Sequence, residues 1–293
     1  MHQSVLDFER RRYLKIALAL CAVSLVAYLW HDPRSPPNGG TWLGYTLGGL
    51  GAALILWLTA LGVRKRTYTS TLGSLQGWVS AHVYLGLALL LVVSLHVGFQ
   101  FGWNIHTLCY VLMVVVIASG LLGIVLYQRL PQQLSQNRAQ QTSEQMLTEL
   151  QELDERTRRV AANASSDEAL AIEANIAGTR IGGSTVAILA AQDRSTVRLP
   201  DDPAEAEAES NPGQARILEW LSARLSASDD AGRTRTLTDL VSLIGARRAL
   251  LRRLQQDARL RGWLSIWLYV HVPVTFGLLG SLIAHVVSVF LYW

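Results

Sequence analysis

Long apolar stretches alternate with short polar loops over the first half of the chain, and one more apolar stretch closes the sequence. Each of these stretches is long enough to cross the roughly 30 Å hydrocarbon layer of a membrane as a helix. They cover residues 13–30, 44–63, 78–101, 105–127 and 264–293. The pattern therefore predicts an all-α fold, a membrane helical bundle of five transmembrane helices.

A long polar segment separates the fourth and fifth apolar stretches. Residues 132–165 and 233–262 carry apolar side chains at helical spacing, which predicts an antiparallel helical pair that continues the two neighbouring spans. Between them, 183–199 is predicted to form a small strand pair, 201–213 an acidic flexible linker, and 214–227 a short helix.

This pattern predicts three consecutive parts. Residues 1–128 hold the first four transmembrane helices, 129–262 form a mostly helical cytoplasmic insert with a flexible linker, and 263–293 form the fifth transmembrane helix. The insert contains no phosphate-binding loop and no dinucleotide or flavin fingerprint, so we expect it to serve in docking or structure.

Basic residues gather on alternate loops and predict the orientation of the chain. Arginine and lysine residues precede the first span, follow the second and flank the insert, whereas the other loops contain only Arg34. Because cytoplasmic loops retain basic residues, we expect the N-terminus and the insert in the cytoplasm of a bacterial inner membrane, and the C-terminus in the periplasm. The net charge of +4 reflects this rule, and no nucleic-acid partner is expected.

Four histidines lie inside the apolar stretches, in two equally spaced pairs. His82 and His96 belong to the third stretch, and His271 and His285 belong to the fifth. A spacing of 14 residues corresponds to about 21 Å along a helix and falls roughly 40° short of whole turns. Both histidines of a pair therefore face the same side of their helix.

The direction of the two helices decides which histidines lie level with each other. The third and fifth spans run the same way through the membrane, so His82 is level with His271 near the inner face, and His96 with His285 near the outer face. An imidazole in hydrocarbon is costly without a partner, and iron in haem accepts two axial histidines. The spacing predicts two stacked b haems, with inner iron on His82 and His271 and outer iron on His96 and His285.

Glycines offer a weaker indication at both levels. A macrocycle needs small neighbours where it passes a backbone, although ordinary packing between membrane helices favours glycine as well. The glycines concerned are Gly44, Gly48, Gly49 and Gly51 in the second span, and Gly120 and Gly123 in the fourth.

Two helices that each carry a histidine pair with this spacing resemble the di-haem core of membrane b-type cytochromes. The relevant segments are GWVSAHVYLGLALLLVVSLHVGFQF and WLSIWLYVHVPVTFGLLGSLIAHVVSVFLYW. Cytochrome b of quinol–cytochrome c reductase and the ferric reductase/NADPH oxidase group both use this device. The resemblance implies that His82, His96, His271 and His285 are axial ligands of two low-spin b haems.

The sequence also differs from both groups. Neither the PEWY-type quinol motif of the first group nor the flavin and nicotinamide domain of the second occurs in the 293 residues. The long insert is atypical of both. The resemblance therefore specifies the haem-binding core and leaves the electron donor and acceptor open.

An iron with two histidine ligands has no free position for a substrate and suits one-electron transfer. We therefore expect an electron-transfer subunit of an oxidoreductase complex, without catalytic residues, that links a quinone or cytoplasmic partner to a periplasmic one. Expected partners are the lipid bilayer and iron–sulfur, flavoprotein or multihaem subunits. His31 and His106, at the outer ends of spans, are candidates for holding a quinone, a further possible cofactor, or a third metal.

Two other functions fit parts of the pattern. A haem-free scaffold or signalling protein would use the histidines for contacts between helices and the insert for docking a partner. An ion or metal transporter would use them as a relay, but it predicts charged residues deep within the spans, and none occurs deep in any of the five.

Overall fold

The computed structural model describes residues 8–33, 38–67, 73–138, 141–203 and 207–291. The chain forms two compact units. The membrane unit consists of Met1–Val125 and Trp267–Trp293, and the insert unit consists of Leu126–Ile266.

The described residues are predominantly helical. In chain order the elements are α1 Arg12–Trp30, α2 Trp42–Arg66, α3 Leu75–Val97, α4 Ile105–Arg138, α5 Ser143–Ala161, α6 Ser166–Ala177, α7 Thr185–Leu189, β1 Thr196–Val197, β2 Glu209–Ser210, a 3₁₀ turn Pro212–Gln214, α8 Ala215–Ser226 and α9 Ala231–Leu291.

Five of these helices, namely α1, α2, α3, α4 and α9, include stretches long and apolar enough to cross a membrane. This confirms the predicted all-α bundle with five spans. Polar residues fix where two of the spans begin. The Thr41 hydroxyl accepts a hydrogen bond from the amide of Gly44, and the Ser74 hydroxyl accepts one from Gly77, so that each caps a helix N-terminus.

One apolar cluster holds four helices of the membrane unit together. It contains Leu58 of α2, Leu89 of α3, Met113 of α4 and Leu278 of α9 among its buried members. Leu89 lies seven residues from each histidine of α3, and Leu278 lies seven residues from each histidine of α9. Because both midpoints belong to one cluster, α3 and α9 pack at matching heights.

The end of the membrane unit nearest His82 brings together the start of α1, the end of α2 and the start of α3. The Arg64 guanidinium donates to the carbonyl of Gly73 at 2.9 Å, and Trp57 stacks on Trp78 with ring centroids 5.0 Å apart. Phe8 packs against Gly77 so closely that a side chain on this glycine would touch the phenyl ring. The basic residues that precede α1 and close α2 therefore share one end.

The insert unit has its own apolar core. Buried members come from α6, α8 and α9, among them Ile172, Ile217, Leu221 and Leu240. Helices α5 and α6 both begin with capping boxes, at Thr142–Gln145 and Ser165–Glu168, in which the cap hydroxyl and the third side chain each bind the other residue's amide.

Several sequence predictions for the insert need correction. The helix predicted over 132–165 is divided into the end of α4 and α5, and α6 was not predicted, although its capping box was visible in the sequence. The strand pair predicted within 183–199 is wrong. Part of that segment forms α7, and β1 pairs in antiparallel register with β2, which lies in the supposed linker 201–213.

Backbone geometry explains this exchange of strand partners. Ser184 caps the short helix α7, and Ala191 closes it in the left-handed region with φ 51°. The chain then leads into Asp193, whose carboxylate accepts hydrogen bonds from the amides of Ser195 and Gly213, at 2.9 and 2.6 Å. These bonds hold the two distant segments side by side.

A buried arginine ties the irregular part of the insert to its helices. The guanidinium of Arg247, 1% exposed, pairs with the Asp154 carboxylate at 2.5 Å. It also donates to the Thr179 hydroxyl at 2.9 Å and to the Gln214 side-chain carbonyl at 2.8 Å. We call these four residues the Arg247 clasp.

We expect Arg247→Ala to destabilise the insert by about 1–3 kcal/mol, because it leaves the Asp154 carboxylate, the Thr179 hydroxyl and the Gln214 side-chain carbonyl without their donor. The measurement is amide hydrogen exchange of the detergent-solubilised protein, in which insert amides should lose protection. Arg235→Ala, an exposed arginine on the same helix, is the matched control and should leave exchange unchanged. Equal protection in both variants would contradict the role of the clasp.

Glu168 couples the stability of the insert to pH. Burial alone would raise the pKa of Glu168, but hydrogen bonds from Arg233 and Ser165 outweigh burial and lower this pKa below its ordinary value of 4.5. A carboxyl with a lowered folded-state pKa stabilises the protein above the unfolded pKa, and this contribution is lost as pH falls through the folded value.

We therefore expect the insert to lose stability on acidification below about pH 4.5, and Glu168→Gln to reduce this loss. Thermal unfolding of the detergent-solubilised protein at neutral and acidic pH measures the difference. Glu173→Gln is the control, because Glu173 forms an exposed ion pair with Arg158 and such pairs contribute little. The same acid sensitivity in Glu168→Gln as in the original chain would refute the prediction.

Candidate functional site

The four intramembrane histidines form two levels in the membrane unit. At one level the rings of His96 and His285 lie with centroids 6.1 Å apart and planes at 80°. At the other level, His82 contacts α2 and His271 contacts α4. The structure thus brings His96 and His285 together, as the spacing and helix direction predict. The pairing of His82 with His271 stays a prediction.

Both histidines of α3 attach to the backbone of α2. His82 Nδ1 lies 3.0 Å from the carbonyl oxygen of Leu58, and His96 Nδ1 lies 2.7 Å from that of Gly44. A carbonyl only accepts, so Nδ1 of each ring must donate. A neutral imidazole with its proton on Nδ1 has a free electron pair on Nε2.

Both histidines of α9 attach to side chains of α4. His271 Nδ1 lies 2.8 Å from the Ser119 hydroxyl. That hydroxyl also lies 2.8 Å from the carbonyl of Val116, to which it donates its single hydrogen. The hydroxyl therefore accepts from His271, and Nε2 of this ring also has a free electron pair.

Trp267 completes the surroundings of His271. Its indole N–H donates to the carbonyl oxygen of Ser119 at 2.7 Å, and its ring stacks on His271 with centroids 5.2 Å apart. A side chain at Gly123 would clash with the indole, so this glycine provides the space for Trp267. The serine and the tryptophan together leave His271 little freedom to rotate.

The fourth histidine attaches to another histidine. His285 Nδ1 and His106 Nδ1 lie 2.5 Å apart, with ring planes at 86°. One of the two nitrogens must donate and the other must accept. His106 is thus a partner of the outer level, a contact that the sequence pattern did not reveal.

The glycines of α2 were predicted to make room for the outer haem. In the structure, Gly48 makes room for the imidazole of His96. A Cβ at Gly48 would come 2.7 Å from Cε1 of His96, and Gly39 also faces this ring. Gly49 faces open space, and Gly51 faces Val93. In the fourth span, a Cβ at Gly120 would come 3.6 Å from Cε1 of His271. One glycine of each predicted cluster therefore lies beside a histidine, and the others face different side chains, backbone or open space.

At the outer level, the separation of the two rings is compatible with a haem held between them. All four rings are only half-buried, and no hydrogen bond in the described part of the chain involves their Nε2 atoms. Two histidines suffice because the porphyrin supplies the remaining ligands.

Within the described residues, no group of three or more His, Cys, Asp or Glu side chains is arranged to hold a metal ion. His31 does not join either level through any contact observed, and its ring lies edge-on to Trp42 with centroids 5.2 Å apart. The two histidines suggested for a quinone or third metal therefore differ, since only His106 contacts a histidine of the predicted site.

Sequence reasoning missed the groups that orient the imidazoles. Trp267 precedes His271 by four residues and so lies on the same helix face, which was a usable signal. Ser119 and the carbonyls of Leu58 and Gly44 gave no signal, because their contacts depend on how neighbouring helices are rotated.

Comparison with known proteins identifies no relative. No protein-family model matches the chain, and no curated protein or solved structure is similar to it.

We expect Gly48→Ala to displace His96 and to destabilise the membrane unit by about 1–3 kcal/mol, as overpacking of a filled site does. Thermal unfolding in detergent measures the loss. Gly49→Ala on the same helix is the matched control and should be neutral, because nothing lies within 4 Å of its added Cβ. Equal stability of the two variants would show that Gly48 does not limit the site.

Proposed function

We propose that this chain is a transmembrane electron-transfer subunit that holds two b haems in series. His82 and His271 would bind the inner iron, and His96 and His285 the outer iron. When bound, haem b supplies reversible one-electron redox chemistry without a free iron position for a substrate. The subunit would act within a larger oxidoreductase complex.

The observation that carries this proposal is the attachment of all four imidazoles through Nδ1. A ligating histidine typically donates its other N–H to a carbonyl or a similar acceptor, which fixes the tautomer and the ring orientation. Leu58, Gly44 and Ser119 offer such acceptors to three of the rings. Because an unpaired ring nitrogen in hydrocarbon is costly, a ligand at Nε2 would account for this shared arrangement.

The residues between the two levels favour transfer of electrons over transfer of ions. Leu89, Met113 and Leu278 are buried in the cluster that separates the levels. Ser94 donates to the carbonyl of Leu90 at 2.7 Å and also contacts the Tyr110 hydroxyl at 3.0 Å, so these polar groups satisfy each other. An apolar core without charged groups suits tunnelling and opposes passage of ions.

The distribution of basic residues supports the orientation. The residues before α1 and at the end of α2 share the end nearest His82, and basic residues mark the cytoplasmic side. In a bacterial inner membrane, His82 and His271 would then be the inner level, and the insert would be cytoplasmic. The insert would dock an iron–sulfur, flavoprotein or other redox subunit, and a quinone or a periplasmic cytochrome would exchange electrons at the outer level.

We expect the purified protein to be red and to contain two b haems per chain by pyridine haemochrome assay. His82→Ala or His271→Ala should each remove the inner haem, and His96→Ala or His285→Ala the outer one, because a low-spin bis-histidine iron needs both ligands. His31→Ala is the control and should retain both haems.

Retention of two haems by all four alanine variants would contradict the ligand assignment. A colourless protein, folded and without haem even when expressed with excess haem precursor, would contradict the function itself. That outcome would favour a haem-free scaffold whose insert docks a partner.

A further inference from the structure

The four histidines differ in what accepts their Nδ1 hydrogen. For His82 and His96 the acceptor is a backbone carbonyl, and for His271 it is a hydroxyl whose own hydrogen is already donated. For His285 alone the partner is a second imidazole, that of His106 in the first turn of α4. The outer level therefore contains a fifth histidine with a specific contact.

We propose that His106 is a positioning residue for the outer haem, acting through His285; this inference rests on the proposed function. If His285 binds iron through Nε2, its neutral ring carries the hydrogen on Nδ1. The facing Nδ1 of His106 then accepts this hydrogen bond and keeps its own hydrogen on Nε2. The two nitrogens are in direct hydrogen-bond contact.

Among the described residues, His106 is the hydrogen-bond partner of the His285 ring, and the contacts of the neighbouring hydroxyls lie elsewhere. Ser288 donates to the backbone carbonyl of His285 at 2.8 Å, and the Thr107 hydroxyl accepts from the amide of Gly102 at 3.1 Å. The contact with His106 is thus what fixes the rotation of the His285 ring. This rotation sets the plane of His285 at 80° to that of His96.

The contact also affects how strongly His285 donates electrons to iron. An imidazole that donates a strong hydrogen bond from Nδ1 becomes a more basic ligand at Nε2, and a more basic ligand favours the ferric over the ferrous state. Loss of such a partner typically weakens metal binding by 10–100-fold. A tenfold loss of preference for ferric iron raises a one-electron potential by about 59 mV.

The test compares His106→Leu with His106→Asn, because the amide oxygen of asparagine can accept a hydrogen bond close to where Nδ1 does. Each variant is examined by haemochrome assay, by potentiometric titration and by electron paramagnetic resonance of the oxidised protein. His96→Ala, which should lack the outer haem, identifies the inner haem signals. His31→Leu controls for removal of an interfacial histidine.

We expect His106→Leu to raise the potential of the outer haem by about 59 mV or more and to change the g-values of its low-spin signal, while the inner haem is unchanged. His106→Asn should restore most of both properties. If leucine removes the outer haem and asparagine retains it, the positioning role is also supported.

Unchanged outer-haem potential and g-values in His106→Leu would overturn the inference and leave the proposed function intact. Equal loss of the outer haem in both variants would also overturn it, because asparagine preserves an acceptor. Absence of haem from the original protein would overturn the proposed function first, and the haemochrome assay detects this separately.

Discussion

A histidine within the apolar part of a membrane helix must satisfy its ring nitrogens without water. In this protein the requirement is met on one nitrogen only, and always on Nδ1. The contacts follow a simple rule, since the histidines of α3 attach to α2 and those of α9 attach to α4. Each helix that offers imidazoles thus has its own supporting helix, and the contacts fix how the helices of each pair are rotated. Over the residues that the structure describes, no hydrogen bond involves any of the four Nε2 atoms.

The register of α9 against α3 places these histidines at two levels. Leu89 and Leu278 lie at the midpoints of the two histidine pairs and share one buried cluster, so a vertical shift of α9 against α3 would separate both levels together. The apolar packing that sets this register also separates the levels by about 21 Å measured along a helix. One set of side chains therefore aligns the imidazoles and provides the low-dielectric layer between them.

The sequence could predict the features that depend on periodicity. The five apolar spans and the common face of each histidine pair follow from the spacing of residues. The matching direction of α3 and α9 follows because they contain the third and fifth spans, and successive spans alternate in direction. The strand pairing in the insert could not be predicted this way, because Asp193 joins segments about twenty residues apart through hydrogen bonds to backbone amides. The contact between His106 and His285 was equally hidden, since it depends on the rotation of α4 against α9. The capping box at Ser165 was a local signal of α6 and was overlooked.

The two supporting helices constrain the site in different ways. Helix α2 offers backbone carbonyls, which exist whatever the side chain, so its contribution depends on residues small enough to let the ring approach. Gly48 meets this condition one turn after Gly44, whose carbonyl receives the hydrogen bond. Helix α4 instead offers the side chains of Ser119 and His106, and a single substitution can change their chemistry. If the four histidines bind haem as proposed, differences in ligand strength between the levels should arise mainly from α4, whereas α2 determines whether the α3 imidazoles fit at all.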